Sequence, residues 1–127
     1  MRKKSRASSQ IRIERIQSRM TEVISLVIQN ELKDPSISPL ASVLRVNVTK
    51  DLRYAKVFIT VMGTDEEREA TIIGLEKAKG YIRSRLASAV DTHTVPELTF
   101  VNDTSIEYAA YISKRLKEVM GNSENEN

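Results

Sequence analysis

The side chains in this sequence that are best suited to chemistry are cations, and they are concentrated at one end of the chain. Of the 20 basic and 17 acidic residues, seven basic residues and only Glu14 among the acidic ones lie within residues 1–19, which leaves 13 basic and 16 acidic residues elsewhere. The seven cations are Arg2, Lys3, Lys4, Arg6, Arg12, Arg15 and Arg19. Because a cation that neutralises a phosphate releases counterions, this distribution favours a polyanionic partner. A solubilising tail that binds nothing specific would carry the same charge.

A second set of cations surrounds Gly80 in a region of helical periodicity. This set consists of Lys77, Lys79, Arg83 and Arg85. Lys79 and Arg83 are four residues apart, so they should share one face of a helix. A solvated helix face would explain the whole set equally well. Weaker candidates near a predicted hairpin are Lys50, Arg53 and Lys56.

Catalytic and metal chemistry find little support in this sequence. The chain has no cysteine and a single histidine, His93, so it lacks the ligands for a zinc site built from cysteine or histidine. Acidic residues at positions 65–69 are better explained by a helix N-terminus, whose dipole favours negative charge, than by a magnesium site. No glycine-rich phosphate loop occurs, and no nucleophile has an identifiable base. We therefore expect a protein that is not an enzyme and that uses no cofactor, metal or small-molecule substrate.

The first predicted element is a long amphipathic helix that continues the basic N-terminus. Residues 1–10 are polar and are predicted to form a disordered arm. From Ile11 to Leu32 the apolar residues recur every three or four positions, which is typical of a helix. The same spacing places three cations on one face beside the apolar stripe, namely Arg12, Arg15 and Arg19. Asp34 and Pro35 should end the helix, because proline disfavours helical backbone before it.

Alternating apolar and polar residues predict an antiparallel hairpin after this helix. Leu44, Val46 and Val48 alternate with polar side chains, and a second alternating run covers residues 54–61. The polar segment 50–53 between the two runs is typical of a turn. A short third strand is predicted over residues 98–101, after Pro96.

Two further helices complete the predicted elements. A helical pattern runs from about Glu66 to Val90 with Gly80 inside it, and a glycine there indicates a kink or a packing requirement. A loop over residues 91–95 and the third strand follow this pattern. The last helix comes after them and is predicted to end at Gly121. Two capping boxes mark helix starts, Thr64 with Glu67 and Thr104 with Glu107.

The predicted order is therefore α, β, β, kinked α, β, α, which is an α+β fold. Helices should cover one face of a three-stranded sheet and leave the other relatively open. We divide the chain into a basic disordered arm (residues 1–10), one domain (residues 11–120) and a disordered acidic tail (residues 121–127). Neither a signal peptide nor a membrane-spanning segment is evident, so we expect a cytoplasmic protein that contacts no membrane.

This order resembles a type II KH domain, a fold that usually binds RNA. Four segments, at residues 31–35, 46–57, 78–86 and 95–105, together resemble the ribosome-binding factor A family. The match extends from about Arg12 to Leu116. Four segments in the right order and spacing make a specific signal.

The resemblance implies a bacterial assembly factor that binds the small (30S) ribosomal subunit late in its maturation. It also implies contact with 16S rRNA, a role in rRNA processing and support of growth in the cold. The phosphate-clamping GXXG loop of KH domains is absent here, and in this family an Ala-x-Gly kink takes its place. Here that kink is Ala78-Lys79-Gly80, where the bent helix would bring backbone and basic side chains towards RNA.

Two departures from the family pattern limit what is carried over. Ser36 follows Asp34-Pro35 where the family commonly has a basic residue, and Thr92-His93-Thr94 stands where it commonly has arginine. We carry no RNA contact onto either position, and we interpret His93 as an ordinary surface histidine.

The tyrosines bear on how RNA would be recognised. Tyr54, Tyr81, Tyr108 and Tyr111 are as well explained by packing as by base stacking. We therefore expect a monomer that recognises structured RNA by its shape and charge. A KH-type regulator that binds single-stranded messenger RNA, and a protein adaptor that uses the open sheet face, are the alternatives.

Overall fold

A computed structural model describes the backbone of residues 2–90 and 94–126 and the side chains of residues 9–90 and 94–121. The elements are α1 (Arg2–Asn30), β1 (Ala41–Val48), β2 (Tyr54–Val61), α2 (Asp65–Lys77), α3 (Lys79–Ala89), β3 (Glu97–Asn102) and α4 (Ser105–Glu126). The predicted element order and the α+β fold class are confirmed. His93 lies outside the described residues.

The apolar stripe of α1 packs against β1 and forms one wall of the core. Its most buried members are Met20, Ile24 and Val27, each no more than 1% exposed. The helix begins at Arg2, whereas the sequence predicts a disordered arm over residues 1–10 and a helix start at Ile11. Residues 2–10 contain no proline or glycine that would stop a helix, and they contain no apolar repeat that would predict one.

The sheet has the order β1-β2-β3, with β1 antiparallel and β3 parallel to the central strand β2. Its inner face is formed by alternate apolar residues such as Val57, Ile59 and Leu98, which are fully buried. The register of β1 shifts between Val43 and Arg45, so Leu44 is an extra residue in the strand. This bulge resets the alternation, and β1 therefore begins at Ala41, three residues before the predicted start.

The crossover from β2 to β3 consists of α2 and α3, which meet at Ala78. The predicted capping box of Thr64 and Glu67 starts α2, with hydrogen bonds in both directions. The predicted kink is confirmed, but it lies at Ala78 (φ −86°, ψ 0°), whose N–H donates to two successive carbonyls of α2. Gly80 lies inside α3, and a Cβ there would meet nothing within 4 Å, so packing does not require a glycine at this position.

Gly74 is the glycine that the packing does require. A Cβ at Gly74 would lie 2.6 Å from Ser36 Oγ and 2.7 Å from Ile37 Cγ1, because the loop after α1 crosses α2 at this point. The Ser38 N–H of the same loop donates to Thr71 Oγ1 at 3.0 Å. Thr71 is fully buried, and its hydroxyl also donates to the Glu67 carbonyl at 2.7 Å.

The last helix, α4, extends from the domain with its apolar side chains largely exposed. Tyr108, Leu116 and Val119 are each more than half exposed. The helix is attached near its start by the Glu107 carboxylate, which accepts a hydrogen bond from the half-buried Arg68 guanidinium. It continues past Gly121, where the sequence predicts a stop and an acidic disordered tail, and Gly121 does not adopt the positive φ of a helix cap. Among the described residues, every helix is too short or too polar to cross a membrane.

Substitutions at two glycines should separate the packing requirement from the kink. Gly74→Ala forces a methyl group into Ser36 and Ile37, so it should lower the free energy of unfolding by about 1–3 kcal/mol. Gly80→Ala adds a methyl group in open space and improves helix propensity, so it should raise that free energy by up to about 1 kcal/mol. Urea unfolding followed by circular dichroism measures both changes. A Gly80→Ala protein less stable than Gly74→Ala would contradict this assignment.

Candidate nucleic-acid interface

Three arginines of α1 form a continuous exposed surface, which we call the α1 ridge: Arg12, Arg15 and Arg19. All three side chains are exposed, and the steps of three and four residues place them on one face. The helix face next to them is buried through Met20 and Val23, which fixes the ridge relative to the sheet. The predicted basic face of the first helix is therefore present as a single surface.

The cations of the ridge are accessible to a phosphate. Arg19 forms an ion pair with Glu22 at 3.3 Å, but the two side chains are 49% and 62% exposed. An exposed pair of this kind is worth little, because water and salt screen it. A phosphate could therefore replace Glu22 as the partner of Arg19. The side chains of Arg2, Lys3, Lys4 and Arg6 lie outside the described residues, although their backbone continues α1.

The four cations around the α2–α3 junction do not form one comparable free face. Lys79 Nζ lies 2.6 Å from Glu76 Oε2, one turn earlier across the break. Arg83 is half-buried and donates hydrogen bonds to the carbonyl oxygens of Val95 (3.0 Å) and Pro96 (3.1 Å). Arg83 therefore holds the start of β3 against α3. Lys77 is exposed at the end of α2.

Arg85, the fourth of these cations, takes part in a clasp between α3 and the end of α1. Its Nε lies 2.9 Å from Glu31 Oε1, and the Tyr81 hydroxyl donates a hydrogen bond to the same carboxylate. The bond from Tyr81 is the main reason that the pKa of Glu31 is lowered, with a smaller contribution from Arg85. The same bond raises the pKa of Tyr81. Of the four cations around the α2–α3 junction, Lys79, Arg83 and Arg85 thus have partners within the protein.

The hairpin turn is held by its own polar groups. Asp51 Oδ1 accepts hydrogen bonds from Thr49 Oγ1 at 2.7 Å and from the Arg53 N–H at 3.1 Å. These bonds lower the pKa of Asp51 and hold the turn that the polar segment 50–53 predicts. Leu52 adopts a positive φ of 60°, which is unusual for a branched side chain.

Sequence reasoning missed a cluster on the outer face of the sheet. The guanidinium of Arg45 lies 4.0 Å from the centroid of the Phe58 ring, and its Nη1 lies 3.4 Å from Asp103 Oδ2. Alternation within each strand predicts that Arg45 and Phe58 each lie on the polar face of their strand. It does not predict that they contact each other, because the bulge in β1 sets the register that pairs them. Among the described side chains, no group of acidic or histidine residues is arranged to hold a metal ion.

Comparison with known protein families gives a clear match. The family model described as ribosome-binding factor A matches residues 12–116. The ribosome-binding factor A of Acetivibrio thermocellus is 50% identical over 107 residues, which cover 84% of this chain and 87% of that protein.

Solved structures agree with the fold. The crystal structure of ribosome-binding factor A from Thermus thermophilus aligns with a TM-score of 0.63 and 22% identity, over 71% of this chain and 94% of that one. A homology model of the Thermus thermophilus factor, fitted into a cryo-EM map of its complex with the 30S subunit, aligns with a TM-score of 0.58 and 23% identity. It covers 69% of this chain and 91% of that one.

The clasp predicts a specific dependence of stability on pH. Because the pKa of Glu31 is lower in the folded protein, its contribution is present above the ordinary value of 4.5 and is lost as the pH falls through the folded value. The raised pKa of Tyr81 has the opposite sign, since that contribution is present below 10.0 and is lost as the pH rises through the folded value. Glu31→Gln should therefore flatten both limbs of a plot of unfolding free energy against pH.

Tyr81→Phe tests the same bond from its other side. It removes the main cause of the lowered pKa of Glu31, so it should flatten the acid limb in the same way. The double variant Glu31→Gln/Tyr81→Phe should have the same acid limb as Glu31→Gln, because that change already removes the titrating carboxyl. An acid limb as steep in Tyr81→Phe as in the unchanged protein would show that the bond does not control Glu31.

Proposed function

The chain belongs to the ribosome-binding factor A family, and from this we propose that it is an assembly factor that binds the small ribosomal subunit and its 16S rRNA during late maturation. In this proposal it assists rRNA processing, supports growth in the cold and acts in the cytoplasm as a monomer without catalysis or cofactor. The 30S complex described for the Thermus thermophilus factor supports the choice of partner. The single observation that carries the RNA contact is the exposed α1 ridge.

The ridge is suited to the backbone of structured RNA. Arg12 and Arg19 are about 10 Å apart along the helix axis, with Arg15 between them. Arginine offers several donors in a fixed plane, so each residue can bind a phosphate through two hydrogen bonds. Such contacts position a protein on RNA without reading its sequence. The backbone of residues 2–10 continues the helix, so Arg2, Lys3, Lys4 and Arg6 would extend the contact towards the N-terminus.

The α2–α3 junction has a more limited role in this proposal. Lys77 is exposed beside the break at Ala78, and Lys79 is half-buried in an ion pair that a phosphate could compete with. Arg83 and Arg85 would act indirectly, by holding β3 and α1 in place. We propose that the N-terminal cations anchor the protein, and that the folded domain selects where on the subunit it binds.

Removal of the ridge should change the salt dependence of binding. The variant Arg12→Ala/Arg15→Ala/Arg19→Ala should bind isolated small subunits more weakly. For each phosphate that is no longer neutralised, the slope of log K against log salt should become shallower by about 0.7–0.9. Sedimentation with small subunits over a series of salt concentrations measures both effects. The fold should be unaffected, because all three side chains are exposed.

A matched control removes the same charge from α4. Lys114→Ala/Arg115→Ala/Lys117→Ala also deletes three cations from a helix, and Arg115 pairs with Glu118 at 3.5 Å much as Arg19 pairs with Glu22. This control should bind almost as well as the unchanged protein. Equal losses in both variants would indicate a general effect of net charge. Failure of the unchanged protein to sediment with small subunits at low salt would refute the proposed function.

A further inference from the structure

The outer face of the sheet combines an exposed tyrosine and a half-buried phenylalanine with cations and polar groups. We define this surface by six residues: Arg45 and Asn47 on β1, Tyr54, Lys56 and Phe58 on β2, and Thr99 on β3. The helices α1, α2 and α3 contribute their buried residues to the core under the inner face. Of the six outer side chains, all but the half-buried Phe58 are exposed. Tyr54 is 60% exposed, although it lies on the central strand of the sheet.

Strand pairing arranges these residues in rows. One row runs Asn47, Lys56, Thr99 across the three strands, and the next places Arg45 beside Phe58. Tyr54 and Phe58 are four residues apart on β2, so their rings lie on the same face about 13 Å apart along the strand. Lys56 lies between the two rings. The surface therefore offers two flat groups separated by a positive charge.

The Arg45–Phe58 pair is already arranged for stacking. The guanidinium lies 4.0 Å from the ring centroid and is held at its other end by Asp103, while the Arg45 side chain remains 52% exposed. Hydrogen bonds from Ser105, with a smaller effect of Arg45, lower the pKa of Asp103, so its carboxylate stays charged at neutral pH. A guanidinium that is held over a ring and is still half exposed can also take a planar group against it.

A depression of about 510 Å³ lies beside Tyr54. Its polar lining includes the amide of Asn47, the hydroxyls of Thr49 and Thr99 and the ammonium of Lys56. The Asn47 amide and the Thr99 hydroxyl can donate to and accept from the edge of a nucleobase, and Lys56 can bind a phosphate. The Thr49 hydroxyl is already bonded to Asp51 and to the Tyr54 N–H.

We propose that the outer face binds an unpaired segment of RNA, with one base stacked on Tyr54 and another on the Arg45 guanidinium. The occupant follows from the chemistry, because aromatic rings interleaved with cations suit stacked bases and their phosphates. A protein partner fits less well, since Lys56 and polar residues separate the rings and leave no continuous apolar patch. The inference rests on the proposed function and adds base stacking to the shape recognition expected from the sequence.

Binding of a short fluorescein-labelled oligoadenylate, followed by anisotropy, tests this surface directly. The unchanged protein should bind it, and Tyr54→Ala should weaken binding by about five- to a hundredfold, as expected for the loss of one stacked base. Tyr54→Phe should retain most of the affinity, because the ring remains. Arg45→Lys should weaken binding although it keeps the charge, because the planar group is lost.

Tyr111→Ala is the matched control. Tyr111 is 57% exposed, close to the value for Tyr54, but it lies on α4 and does not line the depression beside Tyr54. Its removal should leave oligoadenylate binding unchanged. Equal affinities of Tyr54→Ala and the unchanged protein, or no oligoadenylate binding at all, would overturn the proposal.

The ridge variant distinguishes this inference from the proposed function. Arg12→Ala/Arg15→Ala/Arg19→Ala should lose affinity for small subunits but should still show the Tyr54 effect on oligoadenylate. If Tyr54→Ala weakens sedimentation with subunits while oligoadenylate never binds, the outer face contacts a ribosomal protein and the RNA proposal is refuted. If the unchanged protein binds oligoadenylate through Tyr54 but never binds subunits, the proposed function is refuted, whereas RNA binding by the outer face is supported.

Discussion

The packing of the α1 stripe against the inner face of the sheet is the constraint on which the rest of the structure depends. Met20, Ile24 and Val27 are buried there together with Val57 and Ile59 of the central strand. Burying side chains of this kind contributes about 1.5–3 kcal/mol each, so α1 has little freedom to rotate about its axis. The position of the α1 ridge beside the core is a consequence of this burial. A cationic surface built on a helix held in this way is better defined than one on a free arm.

The crossover between parallel strands explains why the second set of cations serves the fold. A parallel pair needs a long connection, and here the connection is broken at Ala78, with α2 packed against β2 and β3 and α3 packed against α1. This geometry brings Arg83 to the carbonyls before β3 and Arg85 to Glu31 at the end of α1. The helical pattern of the sequence suggests that these cations face solvent, but Arg83 and Arg85 connect α3 to other elements of the fold. Lys77 remains exposed beside the break at Ala78.

The two candidate surfaces lie on different sides of the sheet for a physical reason. Alternation along a strand sends successive side chains to opposite faces, so the residues that bury the inner face leave their neighbours on the outer face. The bulge at Leu44 maintains this arrangement in β1 and pairs Arg45 with Phe58. In the roles proposed above, the α1 ridge binds the RNA backbone, and the outer face binds bases through Tyr54, Arg45 and their polar neighbours. A factor with both surfaces could contact folded and unpaired RNA at once.

The sequence by itself determined the element order, the hairpin, the amphipathic first helix and the ridge, because each depends on spacing within one element. The resemblance carried by four segments was sufficient to identify the family. Tertiary structure alone decided the pairing of Arg85 with Glu31, 54 residues away, and that of Arg45 with Asp103, 58 residues away. It also showed that Gly74, and not Gly80, is the glycine required by packing. Periodicity is a local property, whereas ion pairs, stacks and close backbone contacts form between segments that only the folded chain brings together.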